Sequence, residues 1–484
     1  MSWLRRTIAN VSLILGLALA INNAMAGNTP PLQLPEMGEA IDSFMSAQQE
    51  QQLGKAFMRN VRRSLPVMDD PQISRYIQSL GQRLAAHSNQ PQQAFHFFVV
   101  NNPSINAFAG PGGYIGIHSG LILASQTEDE LAAVIAHELA HVTQRHLARA
   151  YESATNMSLP MTAAIIAAII LSGQPELGQL GEATLASAAA GSIQQQINFT
   201  RSNEQEADRI GMQTLTRAGY SSTAMQHFFE RLLQASQYQE DTALEFLRTH
   251  PLTSSRIAGS QNLLTPPTPS KPQTTQQHFA LMQARIHVMS TTELDALPAF
   301  FKAREDVAGK YGRALTAIQQ RDYQQAQDLL LALSQQEPDN LSYTLAQIEN
   351  ELANGSTQRA LSLLENKLHL YPDDGPLTLL YGRTLLKDGQ YAKARSLLRK
   401  HLHKVEATPM LYSLLAEAEG KSGDRSATHQ AMAEFHFLNG DSTAALKQIQ
   451  LALEHGQKLT NNELVRIQSR LKEIQQVLSA EDGN

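Results

Sequence analysis

His137-Glu138-Leu139-Ala140-His141 decides the fold, and it sits inside a pattern that reads as one amphipathic helix from Thr127 to Tyr151. Histidines four residues apart fall on one helical face about a turn apart. Two imidazoles can therefore converge on one metal ion while Glu138, between them, can act on a water at that ion. Zn²⁺, one per chain, is the expected ion for such a donor set. The helix has independent signals: Thr127 and Glu130 make a T-x-x-E capping box, and Leu131, Val134, Ile135, Leu139 and Val142 give a buried face at helical spacing.

A third ligand is sought downstream. The HExxHxxGxxH arrangement is excluded, because Gln144 stands where its glycine would be and Leu147 where its histidine would be. The best carboxylates lie in Asn203-Glu204-Gln205-Glu206-Ala207-Asp208, which follows Thr200 and Ser202, either of them a suitable N-cap. Glu204 and Asp208 share a helical face at i, i+4. Glu204 can complete a His₂Glu site with a fourth position open to water, and Asp208 can hold a ligand histidine by its second ring N–H. Glu206 points elsewhere. His146, five residues beyond His141, reads as a packing or surface residue.

These motifs, in this order, resemble the gluzincin metallopeptidases that include the CAAX prenyl endoproteases and the bacterial heat-shock membrane protease. That family carries HExxH, then ExxxD, and before both a segment like Asn106-Ala107-Phe108-Ala109-Gly110-Pro111-Gly112-Gly113 running into Gly120-Leu121. Within it, the chain is most similar to periplasmic members with a tetratricopeptide tail. The resemblance implies a mainly α peptidase domain with a small β-sheet, zinc-dependent endopeptidase activity, and a catalytic set of Glu138 and Asp208 around the ligands His137, His141 and Glu204. It also implies substrates among stalled or misassembled outer-membrane β-barrel proteins, with their assembly machinery as partner. Thr249-His250-Pro251 and Arg256 are similar to a His-Pro and Arg element that follows ExxxD in the family. His250 then has two candidate roles: a fourth ligand that silences the site until substrate displaces it, or, with Arg256 nearby, a donor to the developing oxyanion. Silencing is favoured, because the preceding Gln234–Asp241 stretch reads as flexible. On residues alone, His250 reads as a helix-cap or core histidine.

A length of 484 residues suggests about two to three domains, and a net charge of −6 is mild. Nothing in it calls for nucleic-acid binding, which would want a basic patch. Arg5 and Arg6, the apolar run Val11–Ile21 and Ala24-Met25-Ala26 form the three regions of a secretory signal, so residues 1–26 are read as a signal peptide cleaved after Ala26 and the destination as the periplasm. With no cysteine in the chain, neither a lipid anchor on cysteine nor a disulfide can form.

Residues 27–263 are assigned to the peptidase domain. Two helical patterns open it, the second starting at Asp70-Pro71 with Ile73, Ile77, Leu80 and Leu84 along one stripe. Phe95–Val100, Asn106–Ala109 and Tyr114–His118 read as strands, the last two joined through Gly110–Gly113. An edge strand beside the HExxH helix can pair with an extended substrate backbone. The apolar run Leu159–Leu171 is too short for a membrane span of about 20 residues and reads as a buried or lid helix; peripheral membrane contact stays open.

Leu264–Gln277, rich in proline, reads as a stiff linker, and 278–484 as an all-α tetratricopeptide solenoid. Ala326, Ala360 and Ala394 recur at the 34-residue period of that repeat, as do Pro338 and Pro372, and about four helix pairs with an atypical cap are expected. Stacked pairs present a concave face to a peptide or partner protein. The chain is thus read as an exported zinc endopeptidase with a protein-binding solenoid. The rival readings are a chaperone or adaptor whose protease activity is mostly latent, and a membrane-associated sheddase.

Overall fold

Thr127 starts the central helix as expected, its side chain accepting from the Glu130 N–H at 3.3 Å, while Glu130 reaches past the cap and accepts from the Gln126 N–H at 2.7 Å, one residue earlier than in a strict capping box. The structure is a computed structural model describing residues 46–151, 166, 201–237, 241–251, 256, 273–291, 296–456 and 459–482. The signal peptide and most of the Leu159–Leu171 run lie outside the described residues.

The HExxH helix runs over Glu128–Thr143 and is buried on nearly all sides, with only Asp129 and Val142 partly exposed. The expected single apolar stripe is therefore too narrow a description. Leu131-Ala132-Ala133-Val134-Ile135-Ala136 is apolar all round, and such a helix belongs inside a core. The helix also stops short of the expected Tyr151. Arg145 takes a left-handed φ of 53°, and a separate short helix covers His146–Tyr151. A left-handed arginine costs about 1 kcal/mol or more, and the metal-site geometry below gives this bend a purpose.

Asp70 caps the helix Pro71–Ala85 by accepting from the Gln72 and Ile73 N–H groups at 3.0 and 2.9 Å. Its Ile73, Ile77, Leu80 and Leu84 are fully buried against the HExxH helix. The sheet has the order β1 (His96–Val100), β3 (Tyr114–His118), β2 (Ala107–Ala109), with β1 parallel and β2 antiparallel to β3. Thus β2 and β3 are neighbours as expected, joined by a 3₁₀ turn at Pro111–Gly113, and β2 is an edge strand packed beside the HExxH helix.

Residues 264–272 of the expected linker lie outside the described residues, and the helix Gln273–Ser290 already includes its last five positions. Phe279, Met282 and Ile286 of that helix share one apolar core with Leu131 and Val134 on one side and Tyr311, Leu330 and Tyr343 on the other. The described residues from Ala47 onward accordingly pack as one compact unit. Arg285, buried in this join, binds Asp70 at 2.6 Å and Glu349 at 2.7 Å. The array touches the peptidase part again further on, where His96 meets Glu406 at 2.8 Å and the Arg59 guanidinium lies 4.5 Å from the centre of the Phe437 ring.

Among the described residues, ten helices from Val307–Gln319 to Asn461–Asp482 form five pairs: four, as expected, and a last one whose long final helix stands where an atypical cap was expected. The 34-residue period is deeper than its alanines. Ala326, Ala360 and Ala394 are each fully buried, and first helices are capped at the same interval by Asp306, Asn340, Asp374 and Thr408. The turn within a pair is left-handed at Arg321, Gly355, Gly389 and Gly423. Glycine adopts that conformation without steric cost, whereas arginine does not. Arg321→Gly is therefore expected to stabilise the protein by about 0.5–1 kcal/mol, after allowing for glycine's extra unfolded-state entropy. An unchanged or lower urea midpoint, with Arg321→Ala as control for side-chain loss, would contradict this.

Candidate metal centre

The site forms where two helices cross closely. Gly211, on the helix Arg201–Arg217, lies so near the HExxH helix that a Cβ there would stand 3.0 Å from the Ala136 carbonyl oxygen and 3.1 Å from the His137 Cα. This close approach brings Glu204 and Asp208 up to His137. Glu128 anchors the start of the HExxH helix, its buried carboxylate accepting from Tyr76 and Tyr220 hydroxyls at 2.9 and 3.1 Å and from Arg83 at 3.0 Å, a favourable position for a negative charge.

His137, His141, Glu204 and His250 are all buried, and one donor atom from each lies within 4.8 Å of every other. The imidazole Nε2 atoms of His137 and His141 face each other at 3.0 Å. Glu204 places Oε2 3.4 Å from the first and Oε1 3.4 Å from the second. His250 puts Nδ1 3.4 Å from His137 Nε2 and 3.2 Å from each Glu204 oxygen. Ligands about 2.0–2.1 Å from a tetrahedral ion stand ~3.3 Å apart, so this donor set fits a metal ion.

Glu138 fits a different task. Both its carboxylate oxygens are buried without a hydrogen-bond partner among the described residues, and His250 Nε2 stands 3.4 Å from Oε1. Buried oxygens without partners are rare, and here they suit the acceptance of a proton from a water or substrate group. Burial raises the proton affinity of Glu138 above that of an ordinary carboxylate.

Asp208 stands behind His137, with Oδ1 3.0 Å from the ring Nδ1. Burial works against charge on His137, yet the Asp208 and Glu204 carboxylates raise its pKa to about 9. Arg256 was expected near His250, the candidate oxyanion donor. Its guanidinium is instead occupied by Asp208 at 2.7 and 2.8 Å, by Glu204 at 2.9 Å and by the Pro251 carbonyl at 3.0 Å. It neutralises two buried carboxylates, which would otherwise repel each other.

His250 does not sit in a loose loop. It ends the helix Asp241–Thr249, with its N–H donating to the Phe246 carbonyl at 2.8 Å. Gln234–Gln237, read as flexible, belong to the helix Thr223–Gln237. The helix that carries His250 is tied to the sheet as well: Asn106, next to β2, donates to Glu245 at 3.1 Å and accepts from the Thr249 hydroxyl at 3.4 Å.

His146, read as a packing or surface residue, is a packed one. Fully buried, it brings Nδ1 to 2.7 Å from Nδ1 of His141 and Nε2 to 3.1 Å from Glu206 Oε2, and Arg149 also holds Glu206 at 3.1 Å. Helical spacing hid this contact, since residues five apart lie on different faces of a continuous helix. The left-handed Arg145 removes that restriction.

Residues 71–263 match the profile described as peptidase family M48, and residues 351–418 match a tetratricopeptide repeat. The chain is 36% identical over 453 residues to the Beta-barrel assembly-enhancing protease of Escherichia coli (strain K12), spanning 92% of this chain and 91% of that protein. It is 34% identical over 436 residues to the Putative beta-barrel assembly-enhancing protease of Vibrio cholerae, spanning 88% of each. A shorter similarity, 32% over 184 residues, links it to the Mitochondrial metalloendopeptidase OMA1 of Schizosaccharomyces pombe, spanning 38% of this chain and 50% of that protein. Identity at this level, sustained through both the peptidase and the repeat regions, makes the chain a member of peptidase family M48 with a tetratricopeptide region, and so a metallopeptidase.

Proposed function

We propose that the chain is an exported zinc endopeptidase that degrades stalled or misfolded outer-membrane β-barrel proteins during assembly. The observation that carries this is the convergence of His137, His141 and Glu204 beside an unpartnered Glu138, in a chain similar along most of its length to proteins named for β-barrel assembly. The signal-like residues 1–26, with cleavage after Ala26, support a periplasmic location. No described helix is long and apolar enough to cross a membrane.

His137, His141 and Glu204 would hold the ion, with Asp208 fixing His137 and Arg256 keeping the Glu204 and Asp208 carboxylates charged and in place. Zinc, when bound, supplies Lewis acidity that polarises a scissile carbonyl and acidifies water. Glu138 takes the proton of the attacking water and passes it to the leaving amine. The β2 edge pairs with the extended substrate backbone.

Residues 27–263 act as the peptidase and 278–484 as the address, with 264–277 between them. A cleft of ≈ 720 Å³ between the two, lined by Arg59, Phe98, Tyr114, Pro376 and Phe437, gives a substrate or assembly partner room to enter. The test uses the zinc-loaded full chain. It should cut an unfolded outer-membrane β-barrel protein faster than the folded form and faster than an unrelated unfolded protein. Equal rates on all three, or no cleavage, would refute the proposal.

One observation favours the latent reading for the resting state: His250 places Nδ1 among the ligand atoms, 3.4 Å from His137 Nε2 and 3.2 Å from each Glu204 oxygen. Substrate entering at β2 would disturb Asn106, and through Glu245 and Thr249 the helix that holds His250. His250→Ala is then expected to raise cleavage of loosely folded substrates by about 5-fold or more, the lower end of ordinary coupling energies. A fall of about 10²–10³ would assign His250 to oxyanion stabilisation instead. Unchanged activity would leave it a packing residue.

A further inference from the structure

The two histidines of the HExxH motif are supported from behind in different ways. His137 meets a carboxylate directly, with Asp208 Oδ1 3.0 Å from its Nδ1. His141 meets an imidazole, His146 Nδ1 at 2.7 Å, and the carboxylate of Glu206 comes only after it, 3.1 Å from His146 Nε2.

Proton counting decides the direction of this second chain. An ionised carboxylate can only accept a hydrogen bond, so Glu206 requires the proton of neutral His146 on Nε2. Nδ1 of His146 is then a bare acceptor. The 2.7 Å contact needs one donor, which must be the Nδ1–H of His141. With its proton there, His141 presents a bare Nε2 lone pair toward His137 Nε2 at 3.0 Å and Glu204 Oε1 at 3.4 Å. The other tautomer would turn an N–H into the ligand set.

We infer that Glu206 and His146 are positioning residues that hold His141 in the Nδ1–H tautomer and so set how tightly the site grips its ion. The inference rests on the metal-centre reading above. Arg149, at 3.1 Å from the same Glu206 oxygen, keeps that carboxylate in place, and the left-handed Arg145 is the local cost of turning His146 back onto His141. Two carboxylates of one helix, two residues apart, thus serve the two ligand histidines: Asp208 at first hand and Glu206 through a relay.

The test is zinc affinity of the full chain, measured by competition with a chromogenic chelator, together with the visible spectrum of the Co²⁺-substituted protein. His146→Phe keeps a ring but has no acceptor, and is expected to weaken zinc binding about 10- to 100-fold, as losses of such partners do. His146→Asn, which can accept from His141, should recover much of that loss. Glu206→Gln, at a half-exposed position where folding is not at stake, should weaken binding several-fold and shift the Co²⁺ bands. Placed in the His146→Phe background it should add nothing, since Glu206 acts only through His146. Wild-type affinity in both single variants, or additive effects in the double variant, would overturn the inference. Failure of the wild-type chain to bind zinc would instead refute the metal-centre reading itself.

Discussion

Glu138→Gln is expected to retain stoichiometric zinc while cleavage falls by about 10²–10⁴-fold, the usual worth of a positioned general base. Glutamine keeps the shape of the side chain but cannot accept the proton. Both Glu138 oxygens are buried without hydrogen-bond partners among the described residues, so no hydrogen bond is lost with the exchange and only the 3.4 Å contact of Oε1 with His250 Nε2 is weakened. Burial of this group raises its proton affinity, which suits a base that must later return its proton to an amine. The variant should hold substrates without cutting them, and crosslinking in cells should recover trapped β-barrel precursors. Near-normal cleavage by Glu138→Gln would remove this residue from the mechanism.

Glu204→Gln is expected to lose zinc more severely than any substitution behind the ligands, by more than ~100-fold in affinity. Two effects add. The amide carries no charge for the ion, and Arg256, 2.9 Å from Glu204, is left with one buried carboxylate instead of two. Breaking a buried ion pair from one side typically costs about 3–5 kcal/mol, so the variant should also unfold at lower denaturant concentration. Metal analysis after dialysis and a urea titration check both parts. Retained stoichiometric zinc would reassign the third ligand.

Much of the site was legible because its spacing is helical. His137, His141, Glu204 and Asp208 lie on two uninterrupted helices, and i, i+4 logic places each pair on one face. The strands were legible to within a residue, since Phe-Val-Val and Tyr-Ile-Gly-Ile stand between turn signals. His146 was not legible, because its contact with His141 depends on a left-handed arginine that no propensity announces. The role of Arg256 was also out of reach: its partners Glu204 and Asp208 lie about fifty positions earlier, and only tertiary packing brings them together.

The repeats show a different kind of limit. The 34-residue period of the buried alanines was plain, yet the same period in Asp306, Asn340, Asp374 and Thr408, and in Gly355, Gly389 and Gly423, was equally present in the chain. Those caps and turns mark helix boundaries more sharply than the alanines do. What composition could not reveal is that the array shares its core with the peptidase part. A proline-rich stretch signals a stiff connection but carries no information on whether the parts it joins pack together.

The most direct test of the account is zinc X-ray absorption on the resting full-length protein and on His250→Ala. The account predicts a first shell of nitrogen and oxygen at about 2.0–2.1 Å in both. It predicts the multiple-scattering signature of three imidazoles in the resting protein and of two in the variant, with His137, His141 and Glu204 retained. Absence of bound zinc, or a resting shell holding fewer than three imidazoles, would contradict it.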